Sequence, residues 1–134
     1  MFRKLQTVMF FAVLVVLFLI SAGCGPKQAK LTGADNGKSV TLNAGETLVI
    51  ELGANPSTGF SWEVSELDTA ILAQVGEFEY HGTSIVPMPG SGGTQTLTLK
   101  ALQPGQTTVT LIYHRSWEKD VPPAETFTAQ VTVK

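Results

Sequence analysis

Residues able to do acid–base or nucleophilic chemistry are sparse in this 134-residue chain: two histidines, His81 and His114, and one cysteine, Cys24. No carboxylate cluster or metal-ligand spacing accompanies them, and nothing marks a Ser-His-Asp arrangement. Catalysis has no visible carrier, and no cofactor is expected. The unusual residues fall instead in three polar or glycine-rich segments between strand-like runs. These are Asn55-Pro56-Ser57-Thr58-Gly59-Phe60, Gly90-Ser91-Gly92-Gly93 and Arg115-Ser116-Trp117-Glu118. Loops carry recognition while strands carry packing, so such a chain is suited to gripping a partner.

Each segment has a recognition reading and a plain structural one. Asn55 can cap its own turn through its side chain, Pro56 fixes φ, and Gly59 permits a positive φ. Ser57 and Thr58 would then stand at the tip of a stiffened loop, or of an ordinary turn between strands. A loop already in its binding shape loses less entropy on docking. Gly90-Ser91-Gly92-Gly93 follows Pro87 and Pro89; its glycines allow close backbone approach to a partner, or make a connector between sheet edges. It lacks the lysine and helix start of a phosphate loop. Arg115 and Trp117 are of the types most enriched at binding hot spots. The alternative is a Trp folded over the edge of the fold with Arg115 paired to Glu118.

The elements that must position these loops begin after a leader. Arg3 and Lys4 precede an unbroken apolar run of 13 residues, 8–20, followed by Ser21-Ala22-Gly23-Cys24. That is the layout of a secretory signal, and the run is shorter than the roughly 20 apolar residues of a membrane span. The small residues before Cys24 resemble a bacterial lipobox, with Ser21 where an aliphatic residue is usual. This resemblance implies lipidation of Cys24, a signal peptide over residues 1–23 and a membrane-anchored location in the cell envelope. Residues 24–36, rich in Gly, Lys, Ala and polar side chains, read as a flexible tether to a domain over residues 37–134. Without the leader the chain has seven basic and eleven acidic side chains, a net charge of −4. That balance, with no basic cluster interleaved by aromatics, argues against nucleic acid as partner.

Within the domain the apolar residues alternate with a period of two. Leu48, Ile50 and Leu52 share a face, as do Leu97, Leu99 and Ala101; Val109, Leu111 and Tyr113; and Phe127, Ala129, Val131 and Val133. These are half-buried strands. Shorter candidates are residues 39–42, 61–64 and 71–80, the last interrupted at Gly76 by a bulge or bend. Asn43-Ala44-Gly45 and Gln103-Pro104-Gly105 read as turns, and Asp68 as the cap of a single helical turn. About seven strands in roughly 100 residues fit an all-β, immunoglobulin-like antiparallel sandwich. Its core pieces would be Trp62, Phe78, Leu99, Leu111 and Phe127.

In order along the chain, the three segments resemble the loop motifs of the chagasin-type inhibitors of papain-like cysteine proteases. The first motif of that family, Asn-Pro-Thr-Thr-Gly-Tyr or Phe, is matched at Asn55, Pro56, Ser57, Thr58, Gly59 and Phe60, with Ser57 replacing the first Thr. Gly-x-Gly-Gly is matched at Gly90, Ser91, Gly92 and Gly93. Arg-Pro-Trp is matched at Arg115 and Trp117, with Ser116 where proline is usual. The resemblance implies a monomeric, reversible inhibitor whose three loops close over a protease's cleft. Thr58 would sit nearest the catalytic cysteine and histidine, and Gly90 to Gly93 would lie along one wall. Trp117 would stack on the other, with Arg115 contacting protease or neighbouring loop. The alternative is an envelope binding or assembly module using the same loops on a non-protease partner.

Overall fold

Side chains on a strand point alternately to its two faces, so apolar residues at every second position pack only if the segment is extended with one face inward. The computed structural model describes residues 27–83 and 90–134, and there the alternation becomes nine strands. They are β1 (Gln28–Thr32), β2 (Ser39–Leu42), β3 (Thr47–Ala54), β4 (Ser61–Glu66), β5 (Leu72–Gln74), β6 (Glu79–Gly82), β7 (Gly93–Ala101), β8 (Gly105–His114) and β9 (Glu125–Val133). The leader, Cys24, Pro87 and Pro89 lie outside the described residues.

One sheet has the order β1-β3-β7-β5, with β6 on the same edge of β7 as β5; the other has the order β2-β9-β8-β4. Their inner faces supply Leu48, Ile50, Leu52, Leu97 and Leu99 against Val109, Leu111, Phe127, Ala129 and Val131, each no more than 2% exposed. Burying each large apolar side chain contributes about 1.5 to 3 kcal/mol. Trp62 is buried as expected, but Phe78 is only half-buried and packs against the core from its margin. The run 71–80 breaks into β5 and β6 around Gly76, whose φ is +71°. Asp68 caps its turn, accepting from the Ala70 N–H through its carboxylate at 3.0 Å and from the Leu72 N–H through its carbonyl at 2.9 Å.

Two features depart from the expected antiparallel sandwich. The edge pairs β1–β3 and β2–β9 are parallel. The stretch read as a tether joins the fold at Gln28, where β1 adds to the first sheet, Leu31 enters the core, and Lys30 pairs with Glu51 at 2.8 Å. Ala29 and Leu31 do alternate with polar neighbours, but one strand's worth of alternation is hidden in a Gly- and Lys-rich composition. The chain then changes sheets through a 3-10 turn, Gly33–Asp35. The Asp35 carboxylate accepts from the Thr32 N–H at 2.8 Å, and Lys38 lies 3.2 Å away. The Thr32 bond first, then Lys38, holds this carboxyl below its usual range. The Asn36 side chain donates to the Thr126 carbonyl and accepts from the Thr128 N–H, tying the turn to β9.

Strand register decides which loops share an end. Ala54 and Gly82 both lie opposite Gly93, Ser61 opposite His114, and Tyr113 opposite Glu125. The β3–β4, β6–β7 and β8–β9 connections therefore leave from one pole. At the other pole are the β2–β3 and β7–β8 turns, Lys27 and Lys134, with Gln28 opposite Thr47 and Leu42 opposite Val133.

Candidate functional site

The three segments singled out in the sequence meet at the first pole. Pro56–Thr58 forms a 3-10 turn, and Gly59 ends it with φ +81°. Asn55 does not cap it in the expected way, by side chain to backbone. Its backbone carbonyl instead accepts both the N–H (3.1 Å) and the hydroxyl (2.6 Å) of Thr58. That leaves its side chain to accept from Ser57 Oγ at 2.6 Å and to donate to the Gly90 carbonyl at 3.3 Å. Asn55 thus ties the first segment to the second. Ser57 and Thr58 are exposed.

The third segment is tied to the first by Arg115. Its Nε donates to the Thr58 carbonyl at 3.0 Å, its Nη1 donates to Glu118 Oε1 at 2.9 Å, and its guanidinium lies 4.4 Å from the Phe60 ring centroid. Such cation–π contacts are worth about 0.5 to 1 kcal/mol at exposed sites. Trp117 rests one edge of its ring on Gly59 while remaining 66% exposed. A Cβ at Gly59 would overlap that ring. Of the structural reading, the Arg115–Glu118 pair is present, while Trp117 touches the neighbouring loop and presents most of its surface outward.

In the second segment Gly93 already belongs to β7, and a Cβ there would collide with the His81 carbonyl and the Tyr80 ring. Its lack of a side chain serves internal packing of β6 on β7. The Gly92 carbonyl accepts from both the N–H and the hydroxyl of Thr83, at 3.1 and 2.7 Å.

Beneath the loops lies a support the motifs did not mark. Tyr113, read from the sequence only as a core-facing strand residue, is half-buried, and its hydroxyl accepts from the Asn55 N–H at 2.9 Å. Its ring packs between Phe60 and Trp62, with centroids 5.4 and 5.1 Å away. Trp62 donates through Nε1 to the Gly53 carbonyl at 2.9 Å. The Gln95 amide from the other sheet accepts from the Trp62 N–H at 2.9 Å and donates to its carbonyl at 3.1 Å. These bonds satisfy the open side of the edge strand β4 and link the sheets next to the loops. A tyrosine at a strand's end beside a loop motif was the available signal for this support.

Each histidine lies beside a glutamate. His114 Nε2 lies 2.6 Å from Glu63 Oε2, and exposed His81 lies 3.6 Å from Glu79. Among the described residues, no three His, Cys, Asp or Glu side chains could together hold a metal ion. What the described residues of the pole offer is a cross-braced surface from which Trp117 stands exposed.

Known proteins resemble this chain in sequence and in fold. The chain is 31% identical over 106 residues to Amoebiasin-2 of Entamoeba histolytica, covering 78% of this chain and 84% of that one. It is 32% identical over 102 residues to Chagasin of Trypanosoma cruzi, covering 74% and 92%. Among solved structures, a cysteine protease inhibitor from Entamoeba histolytica superposes with a TM-score of 0.73 at 27% identity, covering 84% of this chain and all of that one. The family model described as "Chagasin family peptidase inhibitor I42" matches residues 41–131. With the family model spanning most of the sandwich and both relatives agreeing, the chain belongs to the chagasin family of peptidase inhibitors.

Proposed function

We propose that this chain is a reversible, monomeric, non-catalytic inhibitor of papain-like cysteine proteases, which it blocks by laying its three braced loops across the substrate cleft. The observation that carries this reading is the convergence of 55–60, 90–93 and 115–117 at one pole, joined by Asn55 to Gly90 and Arg115 to Thr58. Family membership and the cysteine protease inhibitor of similar fold point to the same target class. Thr58 lies nearest the catalytic cysteine and histidine, Gly90 to Gly93 lie along one wall, and Trp117 stacks on the other. A cysteine protease cuts an extended chain. The 56–58 turn, closed by its own hydrogen bonds, offers no such strand. Three loops suffice for a standard interface of about 1,600 Å² in total.

The test is a titration of the full chain, in mild detergent, against papain and a cathepsin L-like enzyme with a small fluorogenic substrate. Saturable, reversible loss of protease activity is the expected outcome. No inhibition at micromolar concentrations would overturn the reading in favour of an envelope binding module.

We further propose that Cys24 carries a lipid and anchors the protein in the cell envelope. The basic start, apolar run and small residues before Cys24 support this reading. Gln28 enters β1 at the pole opposite the loops, so an anchor at Cys24 would leave the loops facing away from the membrane. Mass spectrometry of the membrane fraction tests this. A lipid-bearing Cys24 at the new N-terminus is expected; an unmodified thiol or a retained leader overturns it.

A further inference from the structure

One guanidinium holds two loops together. Arg115 Nε reaches the Thr58 carbonyl at 3.0 Å, Nη1 reaches Glu118 Oε1 at 2.9 Å, and the planar group covers the Phe60 ring at 4.4 Å. The segment carrying Trp117 is itself a four-residue turn, closed by the Glu118 N–H donating to the Arg115 carbonyl at 3.0 Å. Glu118 therefore closes the turn twice, through its backbone and through its carboxylate. Ser116 occupies the second position of this turn. Nothing in a serine restricts φ there, whereas the five-membered ring of a proline would. Trp117, 66% exposed, adds little burial to hold the turn. Besides the Phe60 ring, the charge-assisted bond to Glu118 is the contact that can hold the guanidinium at the Thr58 carbonyl.

We propose that Glu118 is a positioning residue of the inhibitor: by fixing Arg115, it locks the Trp117 turn to the Thr58 loop before any protease arrives. The consequence for binding rests on the protease-inhibitor reading above, but the lock itself is a property of the free chain. Docking then need not freeze two independent loops, because their relative placement is already set. Glu118 acts through Arg115 and makes no contact with the protease.

The experiment compares the unaltered full chain with Glu118→Gln, Ser116→Pro and the double variant, each in mild detergent. Against papain, Glu118→Gln is expected to raise the inhibition constant about three- to tenfold, chiefly through faster dissociation. Its thermal midpoint should stay within about 2 °C. Adding Ser116→Pro should recover most of the loss, because a fixed φ at that position substitutes for the carboxylate. A change below about twofold shows the pair to be idle, and an undiminished loss in the proline background makes Glu118 a direct contact; either overturns the proposal. Amide hydrogen exchange at Gly59 and Glu118 reads the lock without protease. Exchange should quicken in Glu118→Gln and slow again in the double variant, and unchanged rates overturn the lock. If the unaltered chain leaves papain active, the inhibitor reading falls and amide exchange alone decides the lock.

Discussion

The two poles of the sandwich are held together by different parts of the chain. At the pole where Gln28 enters, main-chain bonds predominate: Gly45 N–H to the Ala101 carbonyl (2.8 Å), Ala101 N–H to Glu46 (2.9 Å), Leu102 N–H to Ile71 (2.8 Å) and Lys134 N–H to Leu42 (2.8 Å). At the loop pole, the links between segments are made by Asn55, Arg115 and Tyr113 side chains. Every non-proline residue carries the same backbone donor and acceptor, so these four bonds do not depend on which side chains stand at their ends. The links at the loop pole do, because each brace belongs to one chemistry. A surface whose shape depends on residue identity can be tuned for a partner without disturbing the fold that carries it.

The largest expected effect comes from removing the exposed Trp117 ring. Trp117→Ala should cost about 2 kcal/mol or more of protease binding, about a thirtyfold rise in the inhibition constant, with little change in thermal stability. Thr58→Ala should cost less, and equal near-zero losses from both would break the assignment of the loops. Gly59→Ala comes next. Its positive φ and the Trp117 ring against it predict a strain of about 1 to 3 kcal/mol, relieved by displacing the indole. A weaker inhibitor with altered tryptophan fluorescence would show this. Asn55→Ala removes the Gly90 bond and the Ser57 acceptor, and about 1 kcal/mol of loop order should go with them. Faster amide exchange at Gly59 would report it.

The smallest effect on inhibition belongs to the opposite pole. Glu46 accepts from the Asn43 N–H at 2.8 Å and from its side-chain amide at 3.1 Å, first the backbone bond and then the amide holding its carboxyl below the usual range. A carboxyl depressed in the folded state stabilises the fold above its unfolded pKa and loses that contribution as pH falls through the folded value. Glu46→Gln should therefore lower the thermal midpoint at pH 7, and the deficit should vanish in acid. Inhibition should stay within about twofold of the parent. A large loss of inhibition would erase the contrast between the poles.

Much of this architecture was legible from local pattern. The strand alternation located β2 and the cores of β3, β7, β8 and β9, and Gly76 marked the break between β5 and β6. The first strand was missed because Ala29 and Leu31 are two apolar residues in a composition typical of linkers. Phe78 was placed too deep because it falls in the link between β5 and β6, outside both strands, where the two-residue alternation no longer turns a side chain to the centre. Tyr113 kept its core-facing register, but nothing in that register announces a hydroxyl bonded to a loop 58 positions away.

By itself, the sequence determined the sandwich, the division between packing strands and unusual loops, and the order of the three motifs. Each follows from neighbours a few residues apart, where φ preferences and the two-residue period act. Only the tertiary structure decided that β1 belongs to the fold, that the loops lie opposite its entry, and that Arg115 turns inward to the Thr58 carbonyl as well as to Glu118. Those outcomes depend on partners 35 positions apart for Asn55 and Gly90 and 57 for Arg115 and Thr58. Sheet pairing has to bring such partners together before a bond of about 1 kcal/mol can choose between them.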